Sequence, residues 1–211
     1  MTDSTHISFD LDGTLIDSIP LMRLSWENVN LKLNLGIGWE AYRKNIGLPF
    51  HQICKNLSIE EIESEVYELY FKFNQDNINK IKAMNGLQDC VDWLVSHNID
   101  WSIITSKPKS TAIPILNLFD LSPRVLITSD DVQNGKPHIE SAQLLISQLN
   151  NGINKIYYIG DTIIDHLFSI NSKFEFIEFI HKDDDELLKR KYVLNNRSTI
   201  SHLSDVKNLI S

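Results

Sequence analysis

With 211 residues, 42% of them hydrophobic and 23% charged, the chain has the make-up of a soluble globular protein with one substantial core, or a core plus a smaller insert. A formal charge of -8 argues against general affinity for nucleic acid, which needs a basic face. No apolar run approaches the roughly 20 residues of a membrane span, and Met1-Thr2-Asp3-Ser4-Thr5-His6 has neither the basic nor the apolar region of a signal peptide, so the expected compartment is the cytoplasm.

The first predicted element is a short strand in which Ile7 and Phe9 alternate with small or polar residues. It runs into Asp10-Leu11-Asp12-Gly13-Thr14-Leu15-Ile16-Asp17. A strand ending this way carries its carboxylates to the edge of the sheet where ligands bind in open α/β folds. Gly13 permits a sharp turn there. Asp17-Ser18 followed by Pro20 reads as a capped helix start. From residue 18 to 84 the pattern is helical, with Leu21, Leu24, Val29 and Leu33, then Ile62, Val66, Leu69, Tyr70 and Phe73, at helical spacing. About four helices and no strand are expected in this region, punctuated at Gly36, Gly38, Gly47 and Pro49.

The remainder alternates strand and helix, the sequence form of a parallel sheet with covering helices. Helices are expected around Leu87–Val95, Ala112–Leu118 (limited or kinked by Pro114), Pro137–Leu149 and Ile163–Ile170. Strands are expected at Trp101–Thr105, Arg124–Thr128, Lys155–Gly160 and Glu175–Ile180. The acidic run from Asp183 to Glu186, followed by Lys189-Arg190-Lys191, suggests a solvated helix with no metal role. A last helix is expected from His202 to Ile210. Cys54 and Cys90 lie in apolar contexts without zinc spacing and are expected as reduced, buried thiols.

Three further stretches carry polar residues at strand ends. Ile103-Ile104-Thr105-Ser106-Lys107-Pro108 ends one strand with hydroxyls, Asn134-Gly135-Lys136-Pro137 opens a helix, and Gly160-Asp161-Thr162-Ile163-Ile164-Asp165 ends a third strand. With Asp10-Leu11-Asp12-Gly13-Thr14-Leu15, these resemble, in order, the four motifs of the haloacid dehalogenase superfamily, in its phosphoglycolate-phosphatase-like subgroup. The resemblance covers nearly the whole chain. It implies a doubly wound parallel-sheet α/β core, Rossmann-like, from residues 1–17 and 85–211, with a helical cap inserted at 18–84.

The same resemblance implies a phosphatase acting on a small phosphorylated metabolite through an aspartyl phosphate. Asp10 is the implied nucleophile, Asp12 the acid and base, and Thr105, Ser106 and Lys136 the phosphate-binding groups, while Lys107 is expected at the surface. Asp10, Asp12 (through its main-chain carbonyl), Asp161 and Asp165 are the implied metal set, with Asp165 acting directly, through a water, or by orienting Lys136. Carboxylates about 4–5 Å apart repel by roughly 3–4 kcal/mol at an effective dielectric of 20. A hard cation removes that cost, and Mg²⁺ suits a phosphate site. The expected state is a monomer or weak homodimer without nucleic-acid or membrane partners.

Two departures stand out. His166-Leu167-Phe168-Ser169-Ile170-Asn171-Ser172 replaces the small residues that usually follow the fourth motif, which points to an early helix end. Ile46-Gly47-Leu48-Pro49-Phe50-His51 lacks the basic residue that β-phosphoglucomutases carry after the glycine, which favours a phosphatase over a mutase. Substrate choice falls to the cap, where Arg23, Trp26, Tyr42, Arg43, Lys44 and His51 are candidates. A phospho-acceptor receiver module, or a binding protein on a similar fold, is the alternative from another class. A receiver module is shorter, carries no helical insert and has no second aspartate two positions after the acceptor.

Overall fold

Ile7 and Phe9 point to one face of strand β1 (Ser4–Phe9) and are fully buried, while His6 and Ser8 are buried on the other. A strand covered on both faces belongs at the centre of a sheet. In the computed structural model, which describes residues 4–149, 152–181 and 198–210, β1 lies between β4 (Trp101–Ile104) and β6 (Ile153–Gly160), parallel to both. β5 (Val125–Ile127) extends the sheet beyond β4, and β7 (Glu175–Phe179) and β8 (Ser198–Ile200) extend it beyond β6, all in parallel.

The order is β5-β4-β1-β6-β7-β8. The chain thus leaves β1 for one edge, then returns to the other side of β1. That reversal opens a crevice at the carboxyl ends of β1, β4 and β6, where a ligand site is expected. Helices α5 (Leu87–Ser96), α6 (Lys109–Leu118), α7 (Glu140–Gln148) and α8 (Ile163–Ser172) cover the sheet, and α9 (Val206–Leu209) ends the described chain. Two apolar clusters result, one built on Ile7, Phe9 and Ile103, the other on Ile104, Tyr158 and Phe168.

A helical segment made of α1 (Ile19–Leu33), α2 (Trp39–Arg43), α3 (Phe50–Asn56) and α4 (Glu63–Asp76) is inserted after β1. It has its own core, from Met22 to Tyr70 in sequence, in which Trp26 stacks on Tyr42 at 4.5 Å and donates its indole N–H to the Ile37 carbonyl. Both connections to the sheet pass through one antiparallel ribbon, β2 (Ile16–Asp17) against β3 (Lys82–Ala83).

The structure departs from the sequence reading in several places. β3 lies where no strand is expected, because a two-residue exposed ladder leaves no periodicity to read. The short strand β8 also goes unread in the sequence. Ser18 precedes α1 but makes no side-chain cap bond. α6 continues through Pro114, and the carbonyl deprived of its i+4 donor is that of Ser110, on an exposed first turn. α8 runs to Ser172 rather than ending early, because Lys173 closes it in a left-handed conformation.

Cys54 and Cys90 are free and buried, and burial pushes both thiols up to about 12. The expected charged helix at residues 183–191 lies outside the described residues. Among the described residues, no helix is long and apolar enough to cross a membrane.

Candidate active site

Asp10 is the first residue past β1, and its N–H donates to the Ile159 carbonyl of β6 at 2.8 Å, which fixes where the side chain leaves the sheet. Thr105 is held likewise past β4, its N–H donating to Ile127 O at 2.9 Å. The loop between β1 and β2 is tight. Gly13 has φ +79°, and a Cβ there would fall 2.3 Å from a carboxylate oxygen of Asp161, so the position requires glycine on both counts. That closeness lets Thr14 Oγ1 donate to Asp161 Oδ1 at 3.1 Å.

Lys136 is the centre of the arrangement. Its side chain is 1% exposed, and Nζ donates to Asp10 Oδ1 at 2.8 Å, to Asp165 Oδ1 at 2.6 Å and to the Tyr158 hydroxyl at 2.9 Å. Three donors thus meet three acceptors. The other oxygen of Asp165 accepts from the N–H and hydroxyl of Thr162 in a capping box at the start of α8.

Across the pocket, Asp12 Oδ1 accepts from Ser18 Oγ and from Lys107 Nζ at 3.0 Å. Lys107 is therefore not at the surface as expected. Its side chain is 10% exposed because it lies over the pocket rather than away from it. Ser18, likewise, serves Asp12 instead of capping α1. Thr105 Oγ1 accepts from the Lys107 N–H at 3.2 Å, so its own proton remains to be donated.

Burial pushes the Asp10 carboxyl well above the usual carboxylate range. Lys136 opposes the shift, and the neighbouring Asp165, Asp161 and Asp12 add to it. Asp161 is raised as well, by burial first, with His181 opposing and Asp165 adding. Burial alone would lower Lys136, but Asp10 and Asp165 hold it well above its ordinary value, so it stays charged. Oxygens of Asp10, Asp161 and Asp165 lie within 4.8 Å of one another. A pair of charges at that separation repels by roughly 3 kcal/mol at an effective dielectric of 20. With both Asp165 oxygens taken up by Lys136, Tyr158 and Thr162, Asp10 and Asp161 are left as the carboxylate oxygens that fit a hard divalent cation.

The structure brings Asp10, Asp12, Thr105, Ser106, Lys136, Asp161 and Asp165 to one crevice. Ser106 Oγ, however, donates to the Gly47 carbonyl of the helical segment at 2.6 Å, so its hydroxyl ties the two halves together. Of the six candidate specificity residues, Tyr42 alone lines the cavity. Trp26 is buried behind it, and Arg23, Arg43, Lys44 and His51 are exposed elsewhere.

Tyr158 and His181 were not singled out in the sequence. Tyr158 shares a strand face with Gly160 two residues on, a period-2 signal that could have been used. His181 follows β7, with Nε2 3.4 Å from Asp161 Oδ2; burial works against its charge, and Asp161 outweighs it.

The description "Haloacid dehalogenase-like hydrolase" fits a family model matched by residues 7–179, and the chain belongs to this family. Over 161 residues, 74% of this chain and 73% of the relative, it is 30% identical to "Pyrophosphatase PpaX" of Oceanobacillus iheyensis. It is 25% identical over 173 residues to a "Phosphoglycolate phosphatase" of Pseudomonas fluorescens, covering 76% of this chain and 64% of that one. The crystal structure of a hydrolase from Pseudomonas syringae superposes with a TM-score of 0.83 at 25% identity, over 97% of this chain and 96% of the other.

Proposed function

We propose that this member of the haloacid dehalogenase-like hydrolases is a Mg²⁺-dependent phosphatase that cleaves a small phosphate monoester through an aspartyl phosphate on Asp10, residues 18–84 forming its cap. The observation that carries this reading is the buried Lys136 ammonium, bound to both Asp10 and Asp165 at the floor of a crevice that also holds Asp12 and Thr105. The phosphatase names of the relatives support it.

Asp10 attacks phosphorus in line, and the bond from phosphorus to the leaving oxygen breaks. Asp12, steadied by Ser18 and Lys107, gives its proton to that oxygen. In the second half it takes a proton from the water that attacks the same phosphorus, and the Asp10 carboxylate is released. The Thr105 hydroxyl and the Ser106 N–H hold the non-bridging oxygens, and the Lys136 ammonium, whose donors are on Asp10, Asp165 and Tyr158, offsets the charge on Asp10 and the phosphoryl group. Asp10, Asp161 and the Asp12 carbonyl would hold Mg²⁺, which when bound offsets the crowded negative charge and polarises the phosphoryl group. Asp165 acts by orienting Lys136, since both its oxygens already accept hydrogen bonds.

Asp10→Asn is the test. Turnover of an aryl phosphate with Mg²⁺ should fall by about 10³-fold or more while the near-ultraviolet dichroism stays native. Wild-type turnover by the variant would overturn the nucleophile assignment.

A further inference from the structure

Two lysines serve the crevice, and they are used differently. Lys136, at the floor, spends its three donors on Asp10, Asp165 and Tyr158. Lys107 is the one basic residue among those lining the cavity. Its main chain is fixed from both sides, the N–H donating to Thr105 Oγ1 at 3.2 Å and the carbonyl accepting from the Ser129 N–H at 3.0 Å. From that anchor the side chain, 10% exposed, reaches Asp12 Oδ1 at 3.0 Å. Among the described residues Asp12 is its one charged partner, so a flexible ammonium with three donors has capacity left over.

The rest of the cavity does not answer that charge. Its roof, supplied by the helical segment, is built from Met22, Ile46, Leu48, Phe50, Ile53 and Phe71. A cation against such a wall needs an anion beside it. Asp12 supplies one, but Ser18 Oγ donates to the same oxygen of Asp12, so holding that carboxylate does not by itself call for a buried cation. Position supplies a further use. The proposed acid must come within about 2.6–3.2 Å of the leaving oxygen, and a cation 3.0 Å from that acid stands beside the first atoms of the leaving group. Lys107 and Phe71 also line the larger cleft between α4 and α6, so the ammonium sits where the cavity opens into it, and the remainder of a leaving group has that cleft to extend into.

We propose that Lys107 is a specificity-determining residue whose ammonium pairs with an anion, a carboxylate or a phosphate, carried by the leaving group within a few bonds of the leaving oxygen. This rests on the phosphatase reading and narrows its substrates to phosphate esters that bear a second negative charge. A neutral leaving group brings Lys107 no partner, whereas an anion closes an ion pair where the apolar roof limits competition from water.

The test is kcat/KM, with Mg²⁺, on pairs of substrates alike in their first atoms and different in charge. Phosphoglycolate against phosphoglycolamide probes a carboxylate, ethylene glycol bisphosphate against hydroxyethyl phosphate probes a phosphate, and an aryl phosphate is the reference. The anionic member of at least one pair should lead its neutral partner by about tenfold or more, and the pair that leads identifies the anion. In Lys107→Met that ratio should fall towards one, and in Lys107→Arg, which keeps the charge, it should stay well above one. Any loss of support for Asp12 lowers both members of a pair and cancels in the ratio. Neutral members equal to or ahead of their anionic partners in both pairs would overturn the proposal on the wild type alone, and so would an unchanged ratio in Lys107→Met. Either result alongside hydrolysis of the aryl phosphate leaves the phosphatase reading standing. Silence on every substrate, the aryl phosphate included, would remove that reading and this proposal together.

Discussion

The floor and the roof of the crevice solve opposite problems. The floor concentrates Asp10, Asp12, Asp161, Asp165, Lys107 and Lys136 in a buried space where each charge is answered by another. The roof is an aromatic and aliphatic surface, backed by a core in which Trp26, Tyr42, Tyr70 and Phe50 contact one another ring to ring. On the proposed reading, charge makes the floor reactive and ties its stability to pH and metal, while apolar packing makes the roof stable and leaves it to decide what fits. The two surfaces belong to separate pieces of chain, joined by the β2–β3 ribbon and the Ser106–Gly47 bond.

That contrast can be broken most severely at Lys136. Lys136→Met leaves Asp10 and Asp165 buried without their shared cation, and should destabilise the protein by about 3–5 kcal/mol in urea titration while abolishing turnover. Mg²⁺ should recover part of the lost stability, because a bound cation offsets the same repulsion. Trp26→Ala should cost a comparable 3–5 kcal/mol by leaving a cavity in the roof, but Mg²⁺ should stabilise the variant and the wild type equally. If the metal rescues both variants alike, floor and roof are not energetically separate.

A smaller effect sharpens the comparison beneath the floor. His6 lies on the same face of β1 as Asp10, bonded to Ser102 at 2.9 Å, and burial lowers its pKa from 6.5 to about 4. Between those values the unfolded chain binds a proton that the native chain does not, so stability rises with pH across the window and is lost as pH falls from about 6.5 to about 4. The size of the effect is about 3 kcal/mol at most. His6→Gln should remove that part of the slope, which chemical unfolding at a series of pH values would reveal. An identical slope in the variant would show that His6 does not set it.

The difference between the two surfaces also explains what could be read in the sequence. Asp10, Asp12, Thr105, Lys136, Asp161 and Asp165 were legible because the four stretches that carry them resemble, in order, the motifs of one family, although each alone has an ordinary reading as a turn, a cap or a solvated charge. Lys107 and Ser18 were not, because a lysine after a strand and a serine before a helix each have an ordinary explanation, solvation or capping, that sequence alone cannot displace. Tyr70 falls at a helical period with Val66 and Phe73 and reads as one more core aromatic, and only the three-dimensional arrangement shows that it also lines the cavity. A parallel sheet was implied by the alternation of elements, but its strand order was not, and β3 and β8, at two and three residues, were too short to leave a pattern.

The reaction through Asp10 can be tested directly by quenching the enzyme during turnover of an aryl phosphate with Mg²⁺, reducing it with borohydride and mapping the peptides by mass spectrometry. An acyl phosphate is reduced to the alcohol, so Asp10 should appear as homoserine in turnover samples alone and not in Asp10→Asn. Reduction at another carboxylate, or none at Asp10 while phosphate is still being released, would contradict the account.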